Sequence, residues 1–164
     1  MERCAWPRFI ELHHSVTKLE APHKKFSICA GYSSAHSVLY VGRMSEPLMI
    51  LVAGPYRSGT NDDPILIQKN VDAMTDTALK LFRLGHLPVL GEWFALPMIE
   101  RAGSRQIGDA VFDEIFHPVS RLLVVRCDAC LRIGGPSRGA DEMVQLARSS
   151  SKKVFFSLEE VPLR

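Results

Sequence analysis

Leu48-Met49-Ile50-Leu51-Val52-Ala53-Gly54-Pro55-Tyr56-Arg57-Ser58-Gly59-Thr60 is an unbroken apolar run that ends in a Gly-Pro loop. A half-exposed strand alternates apolar and polar residues, whereas a strand covered on both faces does not. The run therefore reads as a central strand of an α/β sheet. Asn61-Asp62-Asp63-Pro64 follows, with a capping carboxylate and a proline suited to a first helical turn. Ile67, Val71, Met74, Ala78, Leu81 and Phe82 then recur at steps that make one helical face, and Gly85 closes the helix.

Working outward, Leu87-Pro88-Val89-Leu90 reads as a short second strand. Glu92 to Ala102 reads as a helix broken near Pro97. Asp109 caps another through Val111, Phe112, Ile115 and Phe116, and Pro118 either kinks it or starts the next piece. Ala129-Cys130-Leu131-Arg132-Ile133 is the third strand, Gly139 to Arg148 a helix capped by Ser137, and Lys153-Val154-Phe155-Phe156-Ser157 the last strand. Alternating strands and helices predict an α/β three-layer sandwich. Its flavodoxin-like, mostly parallel sheet has four to five strands, with the first and third side by side.

That adjacency matters because two loops echo each other. Gly54-Pro55-Tyr56-Arg57-Ser58-Gly59 follows the first strand, and Gly134-Gly135-Pro136-Ser137-Arg138-Gly139 follows the third. Glycine lets backbone approach a ligand, and a helix start offers free N–H groups. Together the loops predict one cleft at the carboxyl rim, lined by Gly54, Pro55, Tyr56, Arg57, Ser58, Gly59, Ser137, Arg138 and Gly139. Arg57 and Arg138 suit an anion such as phosphate. Glu92 and Trp93 follow the second strand at the same rim. Glu92 suits a base edge or sugar hydroxyl. Trp93 suits base stacking or, more commonly, core packing. Asp128 reads as a structural cap at the opposite rim, and His117 as a satisfied core histidine.

Composition limits the alternatives. The 164 residues carry a net charge of +2, which gives no footprint for general nucleic-acid binding, and 46% are apolar, ordinary for a domain with a core. No apolar run approaches the ~18 residues of a membrane span. The start lacks the apolar core of a secretory signal, which points to the cytoplasm. Cys127-Asp128-Ala129-Cys130 has no second pair to complete a zinc site and reads as packing. Neither a metal nor a cofactor is expected. Residues 1–46 show no sustained period and read as an N-terminal extension, either a product of gene-start assignment or a genuine, poorly ordered segment. Residues 47–164 form the patterned domain.

Ile50-Leu51-Val52-Ala53-Gly54-Pro55-Tyr56-Arg57, Leu84-Gly85-His86-Leu87-Pro88-Val89, Cys127-Asp128-Ala129-Cys130-Leu131-Arg132 and Ser137-Arg138-Gly139-Ala140-Asp141 together resemble the nucleoside 2-deoxyribosyltransferase-like superfamily. The closest likeness is to a bacterial branch of small, uncharacterised domains, over about residues 48–157. The resemblance implies hydrolysis or transfer at the N-glycosidic bond of a nucleoside or nucleotide. It implies a glutamate nucleophile on the helix after the third strand, attacking the anomeric carbon through an oxocarbenium-like transition state. It also implies a homo-oligomer that shares its sites.

This chain departs from that motif at the nucleophile. Six residues after Ser137 stands Met143, and the nearest carboxylates are Glu142 and Asp141. One helical residue is a rotation of about 100°. A one-residue loop contraction would return Glu142 to the site; otherwise Asp141 is the better-placed acid. The competing expectation is a binding module that recognises a nucleotide or ADP-ribose-like ligand without cleaving it. A P-loop is excluded because no Gly-x-x-x-x-Gly-Lys-Ser/Thr occurs, and a Gly-x-Gly-x-x-Gly dinucleotide loop is absent after the first strand.

Overall fold

The computed structural model describes residues 46–164, so the expectation for the N-terminal extension lies, up to residue 45, outside the described residues. The strands are β1 (Met49–Ala53), β2 (Leu87–Val89), β3 (Ala129–Arg132) and β4 (Lys153–Phe155). The helices are α1 (Pro64–Arg83), α2 (Gly91–Arg101), α3 (Ala110–Arg126) and α4 (Arg138–Ser149). The four strands form one sheet in the order β2-β1-β3-β4, every pair parallel. This is the flavodoxin-like order expected from the alternation, with β1 against β3.

Period-two alternation decides what covers each face. Ile50, Val52, Ala129 and Leu131 point to the side where α1 supplies Met74, Ala78 and Leu81, and where Leu90 and Val161 complete the cluster. Leu51, Ala53 and Cys130 point to the other side, against Val124 of α3 and Ala140, Met143, Val144 and Ala147 of α4. Helices α2 and α3 pack on each other. The result is a three-layer α/β sandwich. Cys127 and Cys130 are free and fully buried, and burial pushes their thiols up to about 11 and about 12. No helix among the described residues is long and apolar enough to cross a membrane.

Helix starts follow their caps. The Asp63 side chain accepts from Ile65 N, Asp109 from Phe112 N, and Ser137 from Ala140 N. Phe82 departs from the expected apolar face of α1, being 65% exposed where Leu81 is fully buried. One residue around the helix carries it past the edge of the buried stripe. Neither interior proline breaks its helix: α2 runs through Pro97 and α3 through Pro118. Both prolines are exposed, so each ring stands on the solvent side of its helix.

Two polar contacts pin the ends of the sheet away from the loops. The Asp128 carboxylate accepts from Met49 N at 2.8 Å, the capping role read for it. His86, 3% exposed, ties the entry of β1 to the C-terminal tail. Its Nδ1 accepts from Leu48 N at 3.1 Å, which leaves Nε2–H to donate to the Pro162 carbonyl at 2.7 Å. Replacing His86 by leucine removes both partners while keeping bulk. The His86→Leu variant should lose roughly 1–3 kcal/mol in urea unfolding. A midpoint equal to wild type would show that the clamp contributes nothing.

Candidate functional site

The two Gly-Pro loops meet because β1 and β3 are neighbours. Ser58 Oγ lies 3.3 Å from Ser137 Oγ. A Cβ on Gly134 would sit 2.7 Å from Pro55 Cδ, and Gly134 holds φ at +74°, so both space and backbone call for glycine there. The first loop is locked from within and from α1. Thr60 Oγ1 donates to the Arg57 carbonyl at 2.7 Å, and Asn70 Nδ2 donates to the Tyr56 carbonyl at 2.9 Å. The second is organised by Arg132, whose guanidinium donates to the carbonyls of Ile133 and, at 2.8 Å, Gly135.

Between the loops lies a cavity of about 230 Å³ at the carboxyl end of the sheet. Its floor is Leu51, Val52 and Ala53 of β1 with Gly91 and Glu92 at the start of α2. Phe112, Asp113, Phe116, His117 and Ser120 of α3 form one wall, and Ala140 and Met143 of α4 another. Gly54, Tyr56, Arg57, Ser58, Ile107, Gly108, Ser137 and Gly139 make the rim. This is the crevice at a topological switch point, where open α/β sheets bind ligands.

One side is aromatic. Tyr56 and Phe116 ring centroids are 5.1 Å apart, Phe112 and Phe116 are stacked at 4.7 Å, and His117 meets Phe116 edge-on at 5.6 Å. Burial, reinforced by the nearby Glu92 charge, pushes the Tyr56 hydroxyl up to about 12. Glu92 is 8% exposed, and loss of water around its carboxyl pushes it up to about 7. A carboxyl so placed is the strongest chemical feature of the cavity.

The structure brings together Gly54, Tyr56, Arg57, Ser58, Glu92, Ser137 and Gly139 of the expected site, with Pro55 in the loop contact. Arg57 reaches the rim already held by Asp62, through Nε and, at 2.7 Å, through Nη2. Asp62 adopts φ +63°, within the left-handed region that Asp tolerates better than most residues. Gly59 adopts φ +76° beside it and is exposed.

Other expected residues lie apart from the cavity. Trp93 packs against the cluster on the α1 side of the sheet, the core outcome. Arg138 is exposed and borders a separate surface groove with Arg121, Asp141, Glu142 and Gln145, which meets the cavity at Ser58 and Ser137. Asp141 pairs with Arg132 at 2.9 Å, and Glu142 takes the Arg121 guanidinium at 2.7 Å. The α4 residue aimed at the cavity is Met143, 5% exposed. No loop contraction rotates Glu142 inward, because Ser137 keeps its capping position and α4 begins at Arg138.

His117 corrects its sequence reading: it is half-buried and lines the cavity rather than the core. It belongs to a stripe that sequence reasoning missed, Phe112, Phe116 and Ser120 at steps of four with Asp113 and His117 beside them. The spacing was visible; a polar-aromatic stripe on a helix does not by itself say that it faces a cavity. Against known proteins the chain matches no family model, no curated protein and no solved structure.

Glu92 makes the domain sensitive to pH. Its folded-state value, about 7, lies above the ordinary 4.5, so the folded state binds the proton more tightly. Its contribution to stability is fully present below pH 4.5 and is lost as pH rises through 7. The Glu92→Gln variant does not titrate. It should match wild type near pH 4.5 and exceed it at pH 8 by up to about 3 kcal/mol in urea unfolding. A difference independent of pH would refute this account of the buried carboxyl.

Proposed function

We propose that residues 46–164 form a binding module for a nucleoside or nucleotide, with the base held in the cavity between the two loops. The aromatic wall of Tyr56, Phe112 and Phe116 suits a planar ring. Glu92 offers a buried polar group to the edge of that ring. The cavity's 230 Å³ falls below the ~300–1,000 Å³ usual for drug-sized ligands, which favours one nucleoside over an ADP-ribose-like ligand of twice the size. A phosphate would leave past Ser58 and Ser137 toward Arg138 in the adjoining groove.

Met143 carries the choice of binding over covalent transfer. The position that the superfamily resemblance gives to the nucleophile is a thioether, which has no carboxylate oxygen to trap an oxocarbenium as a glycosyl ester. The two acids beside it are engaged by arginines outside the cavity. A second reading keeps N-glycosidic hydrolysis, with Glu92 protonating the departing base while a water adds to the anomeric carbon and gives up its proton to solvent. A carboxyl poised near 7 inside the cavity favours it.

Calorimetric titration of the full chain with a nucleoside and nucleotide panel, followed by chromatography for free base, separates the two. The binding module predicts saturable heat with no base above the uncatalysed background. Base release that falls about 10²–10⁴-fold in Glu92→Gln, yet persists in Asp141→Asn and Glu142→Gln, would establish the second reading. Absence of binding across the panel would refute both.

A further inference from the structure

Among the described residues, the carboxyl of Glu92 at the buried end of the cavity has no lysine or arginine paired with it. Among the described residues, Glu92 takes a hydrogen bond only from its own backbone N–H. From the loop after β1 it faces Tyr56. Asp113 and His117 of α3 share the cavity, while β1 and α4 contribute only apolar side chains there. Arg57, at the rim, is occupied by Asp62, and among the described residues no lysine lines the space. Burying an unpaired carboxylate costs far more than holding its proton.

We infer that Glu92 reads the ligand as a neutral carboxylic acid, donating its O–H to a ring acceptor and accepting from the N–H beside it, so that the cavity's inner end takes the lactam or amidine edge of a heterocycle. The inference rests on the nucleoside reading of the cavity. It states which edge of the base is recognised and in which protonation state. The value of about 7 for Glu92 accords with a carboxyl that keeps its proton in the folded protein. A protonated carboxyl pairs one donor with one acceptor, as uridine and cytidine present them. An ionised carboxylate instead demands two adjacent donors, as on the N1–H and N2–H₂ edge of guanosine.

The proton count follows. Below pH 7 the acid is already loaded and binding moves no proton. Above it, each complex takes one proton from solvent, so affinity falls about tenfold per pH unit. Glutamine offers a donor beside an acceptor at the same place without titrating.

The test uses the full chain with uridine and cytidine, titrated calorimetrically at pH 6 and pH 8 in buffers of different ionisation heat. Wild type should bind about tenfold more weakly at pH 8, with uptake approaching one proton per site. Glu92→Gln should lose that dependence and bind about tenfold more tightly than wild type at pH 8, while Glu92→Leu should lose binding at both. The infrared difference spectrum of unliganded wild type minus Glu92→Gln should show a protonated carboxyl at pH 6. An ionised carboxyl there, affinity that rises with pH, or a Glu92→Gln variant tenfold weaker at pH 6 overturns the acid role alone. Failure of both nucleosides to bind, with the protonated carboxyl present, overturns the nucleoside reading and the inference built on it.

Discussion

Four Cα pairs, Ile50 with Ala129 through Ala53 with Arg132, hold β1 and β3 in parallel register. The ladder runs one bond beyond them, from Ile133 N–H to the Ala53 carbonyl at 3.0 Å. Both strands therefore end at the same height, and the chain must leave each in the same direction. That forces the two Gly-Pro loops into contact and opens a crevice between them. A one-residue slip would move Leu131 to the opposite face and take Ser137 away from Ser58. The register thus sets core and site together. It is secured at the far end by Asp128 on Met49 N and at the near end by the Ile133 N–H on the Ala53 carbonyl.

Once that register is set, the helices have little freedom. Helix α1 must cover Ile50, Val52 and Leu131, and its stripe of Met74, Ala78 and Leu81 does so. On the other face, Cys130 and the methyl of Ala53 leave room for α4 to approach through Ala140 and Ala147. Small residues there bring the α4 N-terminus close to the sheet, and Ser137 with it. The cavity survives because Gly91 and Gly139 add no side chain to its floor and rim, while the α3 stripe stands across from them. A Cβ on Gly91 would collide with Ser120 Oγ as it stands, so the start of α2 and the middle of α3 approach closely here with the serine hydroxyl turned toward the glycine.

The strand order and the meeting of the loops were legible because they rest on local signals: continuous apolar runs, caps at Asp63, Asp109 and Ser137, and the repeated Gly-Pro turn. Pro97 reads from sequence as a break, and Pro118 as a kink or a new start, because sequence shows the lost N–H but not which side of the helix faces water; both helices run through. The site was legible in part. Residues attached directly to strand ends, such as Tyr56, Ser58, Glu92 and Ser137, could be placed from topology alone. Phe112, Asp113, Phe116, His117 and Ser120 could not, because their position depends on how α3 leans over the sheet. Side-chain commitments were equally hidden. Nothing in Arg57-Ser58-Gly59-Thr60-Asn61-Asp62 announces that Asp62 turns back, in a left-handed conformation, to occupy Arg57.

Helix α4 shows how rotation separates two chemistries at one address. Ser137 fixes where the helix begins, and each later residue then has its direction set in steps of about 100°. Ala140, Met143, Val144 and Ala147 take the inward directions, and Asp141 and Glu142 the outward ones. Bringing Glu142 inward would turn Met143 off the cavity wall and carry the Ala140 and Ala147 contacts away from Cys130. It would also break the Arg121 pair. The core therefore resists the register shift that a nucleophile on α4 would require. The buried carboxyl of the cavity comes instead from β2's end, where Glu92 enters at the first turn of α2 and loss of water raises its value to about 7, so that it holds its proton more tightly than an exposed glutamate. An acid in that state can donate to a ring or to a leaving group, but it cannot attack an anomeric carbon until it has lost the proton that burial favours. The arrangement of side chains thus supports the proposed recognition of a ring, or protonation of a leaving group, over covalent capture.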